Sequence, residues 1–240
     1  MLILAIDTST RTGSIALVRD DQLVAEISGY EETPHSTRLF RDLSVLQSKA
    51  QFSMGQIDLF AVASGPGSFT GLRVGLTAVK AWAEVHGKPI AAVSALEAIA
   101  AQSAGAPVSG GETGIIAPFL DARRGQIFGS LYRRRQANPA TLQRMVEESI
   151  LSPEEFLELV KGNVPLGRPV LVSPTAEVLS GSLVSQMLPG VNVQAVSPIL
   201  APVIGRLGLE QAGRGELLDA LRLDANYVRR SDAEAAWKDA

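Results

Sequence analysis

Leu2-Ile3-Leu4-Ala5-Ile6-Asp7, Ser14-Ile15-Ala16-Leu17-Val18-Arg19 and Leu23-Val24-Ala25-Glu26-Ile27-Ser28 follow one another with only short links between them. The first run is apolar up to its closing aspartate and rich in Ile and Leu, so it reads as a buried strand. Arg19-Asp20-Asp21-Gln22 is a polar turn that returns the chain on itself. Three such runs with tight links predict an antiparallel three-strand meander, and what comes after it decides the architecture.

Downstream, Thr33-Pro34-His35-Ser36 opens a helical pattern in which Leu39, Leu43 and Leu46 recur at spacings of four and three, with Phe40 on the flank. Residues 57–63 are apolar almost throughout, as expected for a central strand. A glycine-rich turn from Ser64 to Gly71 then feeds a helix of about 16 residues that stops at His86-Gly87-Lys88-Pro89. Residues 90–93 form another strand, and Ser94-Ala95-Leu96-Glu97 has the spacing of a capping box for one more helix. The first half therefore reads β-β-β-α-β-α-β-α.

Residues 103–114, rich in Gly, Ser, Ala and Pro, mark the expected boundary: a first lobe over 1–104, a linker over 105–113 and a second lobe over 114–240. The second half predicts strands over 115–120, 126–133 and 142–150. A helix follows with Ser152 as N-cap, Pro153 at its first position and Glu155 three residues after the cap. Strands over 169–172 and 191–196 follow, with helices opening at Ser173-Pro174 and Ser197-Pro198. The order of the first half recurs without any residue-level repeat. Three meandering strands, a helix and two strand–helix units are the ribonuclease-H-like order. Two such α/β lobes, each with a mixed sheet, describe the actin–Hsp70–sugar-kinase architecture.

Composition narrows the chemistry. The 240 residues hold 22 Lys plus Arg against 25 Asp plus Glu, a formal charge of −3, with 46% apolar and 20% charged residues. These are globular values. There is no cysteine, which excludes disulfides, thiolate zinc sites and cysteine nucleophiles. The two histidines, His35 and His86, exclude a histidine-rich metal centre and are the only imidazoles for a Ser-His-Asp triad. The first residues lack a basic region and a cleavage-like site, and no apolar run approaches the roughly 18 residues of a membrane helix. A soluble, cytoplasmic protein is the expectation. Mild net acidity argues against non-specific nucleic-acid binding over the whole surface.

Two segments carry candidate chemistry. Asp7-Thr8-Ser9 ends the first strand, where hydroxyls and turn N–H groups suit a phosphate. These three residues are the candidates for a vestigial phosphate turn with weak ATP or ADP affinity. The alternative is a turn whose Thr and Ser bond their own backbone. The segment from Gly65 to Gly75 is neither a Walker loop, since it lacks the Gly-Lys-Ser/Thr end, nor a dinucleotide fingerprint. Gly65 and Gly67 permit a tight turn, Ser68 or Thr70 can cap the helix, and Gly71 and Gly75 thin one helix face. Arg123-Arg124 and Arg133-Arg134-Arg135 are basic clusters suited to RNA phosphates, a partner's acidic face or plain solvation.

Ile6-Asp7-Thr8-Ser9, His35-Ser36, the run from Gly65 to Gly75 and Ser94-Ala95-Leu96-Glu97 together resemble the bacterial TsaB (YeaZ) family. Asp121-Ala122-Arg123-Arg124-Gly125-Gln126-Ile127-Phe128 and Tyr227-Val228-Arg229-Arg230 resemble that family's later motifs. The resemblance implies a non-catalytic paralogue of TsaD. TsaD, with TsaB and the ATPase TsaE, transfers a threonylcarbamoyl group from threonylcarbamoyl-AMP to an adenosine of ANN-decoding tRNAs. It implies a heterodimer with TsaD, a ternary complex with TsaE and self-association when alone. tRNA enters as substrate of the complex, with direct contact left open. No cofactor is implied for the isolated chain.

The catalytic paralogue holds its metal with a His-x-x-x-His pair, whereas here Leu39 stands four residues after His35. The family pairs its first lobes through the first two helices, which makes Leu39, Leu43, Leu46, Gly71, Leu72, Gly75, Leu76 and Val79 the expected interface residues; ordinary core packing is the alternative for each. The rival functions are an autonomous ATPase or small-molecule kinase of the same fold, and a glycoprotease-like peptidase, as older family labels suggest.

Overall fold

In a computed structural model, residues 1–29, 33–105, 114–135, 138–164 and 169–228 are described. The meander is present: β1 (Leu2–Asp7), β2 (Ser14–Arg19) and β3 (Gln22–Ser28) pair antiparallel. Next come α1 (His35–Ala50), β4 (Leu59–Gly65), α2 (Phe69–His86), β5 (Ile90–Ser94) and α3 (Ala95–Ala101). β4 lies parallel to β1, and β5 parallel to β4, giving the sheet order β3-β2-β1-β4-β5.

The second half contains β6 (Ile115–Arg123), β7 (Gln126–Arg135), β8 (Asn138–Leu151), α4 (Pro153–Asn163), β9 (Val170–Ser173), α5 (Gly181–Met187), β10 (Val193–Ala195) and α6 (Ala201–Arg214). Its sheet runs β10-β9-β6-β7-β8, the same topology as the first. Both halves are therefore βββαβαβα, the two-lobed α/β fold expected.

Several boundaries follow from local chemistry. Ser152 Oγ accepts the Glu155 amide at 3.2 Å while the Glu155 carboxylate accepts the Ser152 amide at 2.7 Å, closing the capping box of α4. Two helix starts differ from expectation. α5 begins at Gly181 behind the Ser180 cap, after a 3-10 turn over Ala176–Val178, rather than at Ser173-Pro174. α6 begins at Ala201, with Pro202 in its first turn, rather than at Ser197-Pro198.

The units divide the chain differently from the sequence expectation. Met1–Ala95 groups with the segment from Ile199 onward, and Leu96–Pro198 forms the other unit. The last helix, expected in the second lobe, thus belongs to the first: α6 packs on β1, β2, β4 and β5. Strand alternation explains how the first sheet accommodates helices on both faces. Leu4, Ile6, Phe60 and Val62 join α1 and α2 in one buried cluster. The opposite face presents small residues to α6. A Cβ on Gly208 would stand 2.9 Å from the Ala61 Cβ and 3.2 Å from the Ala91 Cβ, so a glycine is needed at that approach. The second unit has its own core, in which Phe119, Ile127, Leu131, Phe156 and Leu171 are fully buried.

Candidate functional site

The end of β1, the glycine-rich elbow and the start of α1 meet in the first unit. Asp7 is completely buried. Its carboxylate accepts the Ser9 amide at 2.8 Å, the Ser9 hydroxyl at 2.5 Å and, more loosely, the Thr10 hydroxyl at 3.4 Å. Burial raises its pKa above the ordinary carboxylate value, opposed by the hydrogen bonds from Ser9 and by nearby His35. Thr8 Oγ1 donates to the Gly71 carbonyl at 2.7 Å, and the Ser68 amide donates to the Ser9 carbonyl at 2.8 Å.

This geometry favours the alternative reading of Asp7, Thr8 and Ser9, a turn whose side chains bond within the protein. All three are buried, and their hydroxyls are occupied inside the protein. The glycines supply the reason. A Cβ on Gly71 would strike the Thr8 carbonyl oxygen, and one on Gly75 would strike Thr8 Oγ1. The elbow is built for close packing of α2 on the β1 turn. Ser68 caps α2 by accepting the Gly71 amide at 3.2 Å.

His35 opens α1 and closes over the same turn. Its Nε2 lies 2.7 Å from the Thr10 carbonyl oxygen; a carbonyl only accepts, so Nε2 carries the proton. Leu39, one turn on, is a core residue at 5% exposure, so no second ring stands beside His35 on that helix. Among the described residues no group of three His, Cys, Asp or Glu side chains is placed to hold a metal. Beside His35, first-turn residues of α1 and α2 and the end of the β1 turn surround a cavity of about 450 Å³.

The residues expected at the helix-pair interface are buried within the single chain. Leu39, Leu43, Leu46, Leu72, Leu76 and Val79 are all core residues at 7% exposure or less, and Gly71 and Gly75 are buried against Thr8. Phe40 is 61% exposed and Val85 78% exposed, and Phe40 meets half-buried Trp82 edge to face with centroids 6.2 Å apart. The heptad-like leucines gave the inward face; the outward one was legible only as Phe40 on the flank.

Two further clusters were not foreseen. Arg38, 4% exposed, donates from Nε and Nη2 to Asp42 at 3.3 and 3.2 Å and from Nη1 to the Gly29 carbonyl at 2.6 Å. Arg41 holds the other Asp42 oxygen at 3.1 Å. Separately, the elbow motif and the Tyr227 motif meet. Arg73 stacks 3.9 Å from the Phe69 ring centre and donates to Tyr227 Oη at 3.2 Å, while the Asn226 amide donates to the Ser64 carbonyl at 2.7 Å. Arg229 and Arg230 of the same motif lie outside the described residues.

In the second unit Arg123 and Arg124 sit at the β6–β7 turn with φ of 66° and 58°, and Arg123 pairs with Asp121 at 3.2 Å. Arg134, expected in a surface cluster, is instead 8% exposed, where burial lowers its pKa; Nη2 donates to Ser103 Oγ at 3.1 Å. The Arg135 side chain lies outside the described residues. His86 is in the last turn of α2, before the Gly87 cap. No helix among the described residues is long and apolar enough to cross a membrane.

Comparison with known proteins brings these features together. The family model of TsaD, tRNA N6-adenosine threonylcarbamoyltransferase, matches residues 31–175, more than half of the chain. The tRNA threonylcarbamoyladenosine biosynthesis protein TsaB of Bacillus subtilis is 32% identical over 240 residues, covering 99% of this chain and 98% of the relative. TsaB of Escherichia coli is 34% identical over 136 residues, 56% of each chain. Among solved structures, YeaZ from Pseudomonas aeruginosa superposes with a TM-score of 0.72 at 23% identity, covering 94% of this chain and 99% of that one, which supports the fold.

Proposed function

The chain belongs to the TsaB family, and we propose that it is the non-catalytic accessory subunit of tRNA threonylcarbamoyladenosine synthesis. The observation that carries this reading is the end-to-end similarity to a TsaB protein, 32% over 99% of the chain. In this reading it forms a heterodimer with TsaD, joins TsaE in a ternary complex, self-associates when alone, and acts in the cytoplasm on tRNA bound by the complex.

The residues support an accessory role on chemical grounds. His35 is engaged with Thr10, and the position that would carry a second imidazole is the core residue Leu39. Asp7 is occupied by Ser9 and Thr10. A peptidase needs a nucleophile with a base, and a phosphotransferase needs a site that reaches phosphate; these groups are committed to packing. Docking uses the outer face of α1 and α2, where Phe40, Trp82 and Val85 supply apolar area that a lone chain leaves in water. Activation of TsaD then requires that this chain bind the active geometry of TsaD more tightly than the inactive one.

Reconstitution tests the reading. TsaD, TsaE, the threonylcarbamoyl-AMP synthase, tRNA, threonine, bicarbonate and ATP are combined with and without the chain, and the modified nucleoside is quantified by mass spectrometry. Modification is expected only with the chain present. Equal modification in its absence overturns the proposal.

A further inference from the structure

Residues 216–228 run back from α6 past β5 to the end of β4 and fix an aromatic ring beside α2. Ile90 and Leu218 exchange two backbone hydrogen bonds of 2.8 Å, Leu223 is 1% exposed in the first core, and the Asn226 amide reaches the Ser64 carbonyl. The fit is close: a Cβ on Gly65 would stand 2.6 Å from the Asn226 carbonyl oxygen. Tyr227, next along, is 41% exposed, with its ring centre 5.0 Å from that of half-buried Phe69.

Arg73 completes the arrangement. Its guanidinium carbon lies 3.9 Å from the Phe69 ring centre and 5.9 Å from that of Tyr227. Among the described residues its one hydrogen bond runs from Nε to Tyr227 Oη, which leaves both terminal nitrogens for a ligand. A guanidinium held against aromatic rings is preorganised for bidentate contact with an oxyanion. Arg229 and Arg230 follow Tyr227 in the chain, and connectivity alone keeps their Cα atoms within about 11 Å of its own. A basic and aromatic focus therefore stands on a chain of net charge −3. The carboxylates of the same segment are turned to its own backbone: Asp219 accepts the Arg222 amide and Asp224 the Ala225 amide, each at 2.8 Å.

Several cations in succession suit a polyanion better than a single carboxylate, and an exposed ring offers its face to an unpaired base. The site also stands apart from the Phe40 face. Arg73 and Trp82 are nine positions apart on α2, two and a half turns at about 3.6 residues per turn, so they point to opposite flanks of the helix.

We propose that Phe69, Arg73 and Tyr227 form a docking platform for single-stranded RNA, with Arg229 and Arg230 adding charge toward its backbone. The proposal rests on the accessory reading for the presence of RNA, and it names where this chain touches it.

The test titrates the full chain into a fluorescein-labelled single-stranded RNA of about 12 nucleotides and follows anisotropy between about 50 and 200 mM salt. Saturable binding is expected, with log affinity falling against log salt at a slope of about −2, as for three neutralised phosphates. Arg73→Gln should weaken binding about tenfold and flatten the slope by about 0.7. It changes an exposed side chain, so its thermal midpoint should match wild type. Tyr227→Ala should weaken binding about tenfold with the slope kept, whereas Tyr227→Phe, which retains the ring, should stay within about threefold of wild type.

Absence of saturable binding overturns the proposal, as does an Arg73→Gln variant that binds like wild type. Equal affinity for a duplex of the same sequence does so too, since paired bases offer no face to the ring. Tighter binding of an Asp- and Glu-rich peptide of the same length, lost in Arg73→Gln, would assign the flank to a protein partner instead. The reconstitution keeps the two readings separable. RNA binding by a chain that proves dispensable for modification removes the accessory role and leaves the platform; absence of RNA binding in a chain that modification requires removes the platform alone.

Discussion

Thr8 Oγ1 donates to the carbonyl of Gly71 across 2.7 Å, joining the end of β1 to the first turn of α2 over 63 positions of sequence. The contact is possible because Gly71 has no side chain. It supports reading the most distinctive sequence motif as a tightly packed strand-to-helix elbow, and it sets the first expected outcome. Gly71→Ala places a Cβ against the Thr8 carbonyl oxygen, so the turn or the helix must shift. Overpacking of this kind costs about 1–3 kcal/mol. Urea denaturation should show a lower midpoint, and a midpoint equal to wild type would show that the elbow yields freely.

Asp7 gives a pH signature. Its folded pKa is raised by burial above the ordinary value of 3.8, so between those two values the folded chain holds a proton that the unfolded chain has released. Stability from this group is therefore present below the unfolded value and falls as pH rises toward the folded one. Asp7→Asn removes that slope. The difference in unfolding free energy, variant minus wild type, should move in the variant's favour as pH increases from about 4 toward neutrality. A difference independent of pH would mean that Asp7 is ionised throughout.

The Arg38–Asp42–Arg41 cluster separates buried from exposed pairing. Asp42→Ala leaves the Arg38 guanidinium, at 4% exposure, without its carboxylate. Breaking a buried pair in this way costs about 3–5 kcal/mol. Arg41 is 54% exposed, so Arg41→Ala should cost only about 0–1 kcal/mol. Similar losses from both variants, measured by thermal or chemical unfolding, would contradict this ranking.

Substitutions on α1 should divide in the same manner by face. Leu43→Glu buries a carboxylate in the first core and should leave little folded protein. Phe40→Glu changes a side chain that is 61% exposed, so the fold should survive with a thermal midpoint close to wild type. Its affinity for TsaD should nevertheless drop by about tenfold or more, as for an aromatic anchor lost from an interface. Unchanged affinity in folded Phe40→Glu would remove this face from the docking proposal.

Much of the architecture was legible in the residues themselves. The strand runs, the leucine spacing of α1, the Ser152–Glu155 box and the stop at Gly87 are local signals, read within a few residues of where they act. The order βββαβαβα in both halves follows from them. The identity of the family was legible too, because its motifs are contiguous.

Tertiary structure alone decided the rest, in each case because the deciding partner is far along the chain. An apolar stripe on a helix does not say which sheet it will cover. α6 joined the first unit because its Gly208 meets Ala61 and Ala91, which lie more than a hundred residues earlier. Nor does helical periodicity alone separate core from contact surface. Leu39 and Leu43 went inward with Leu4 and Val62, leaving Phe40 outside. The Thr8 hydroxyl looked available for phosphate until the elbow, some sixty residues later, supplied the Gly71 carbonyl as its partner, while the Ser9 hydroxyl turned back to Asp7. Sequence determined the elements and their order through local hydrogen bonding and periodicity. The fold determined which faces are buried, because burial is a property of pairs of surfaces that only the closed chain brings together.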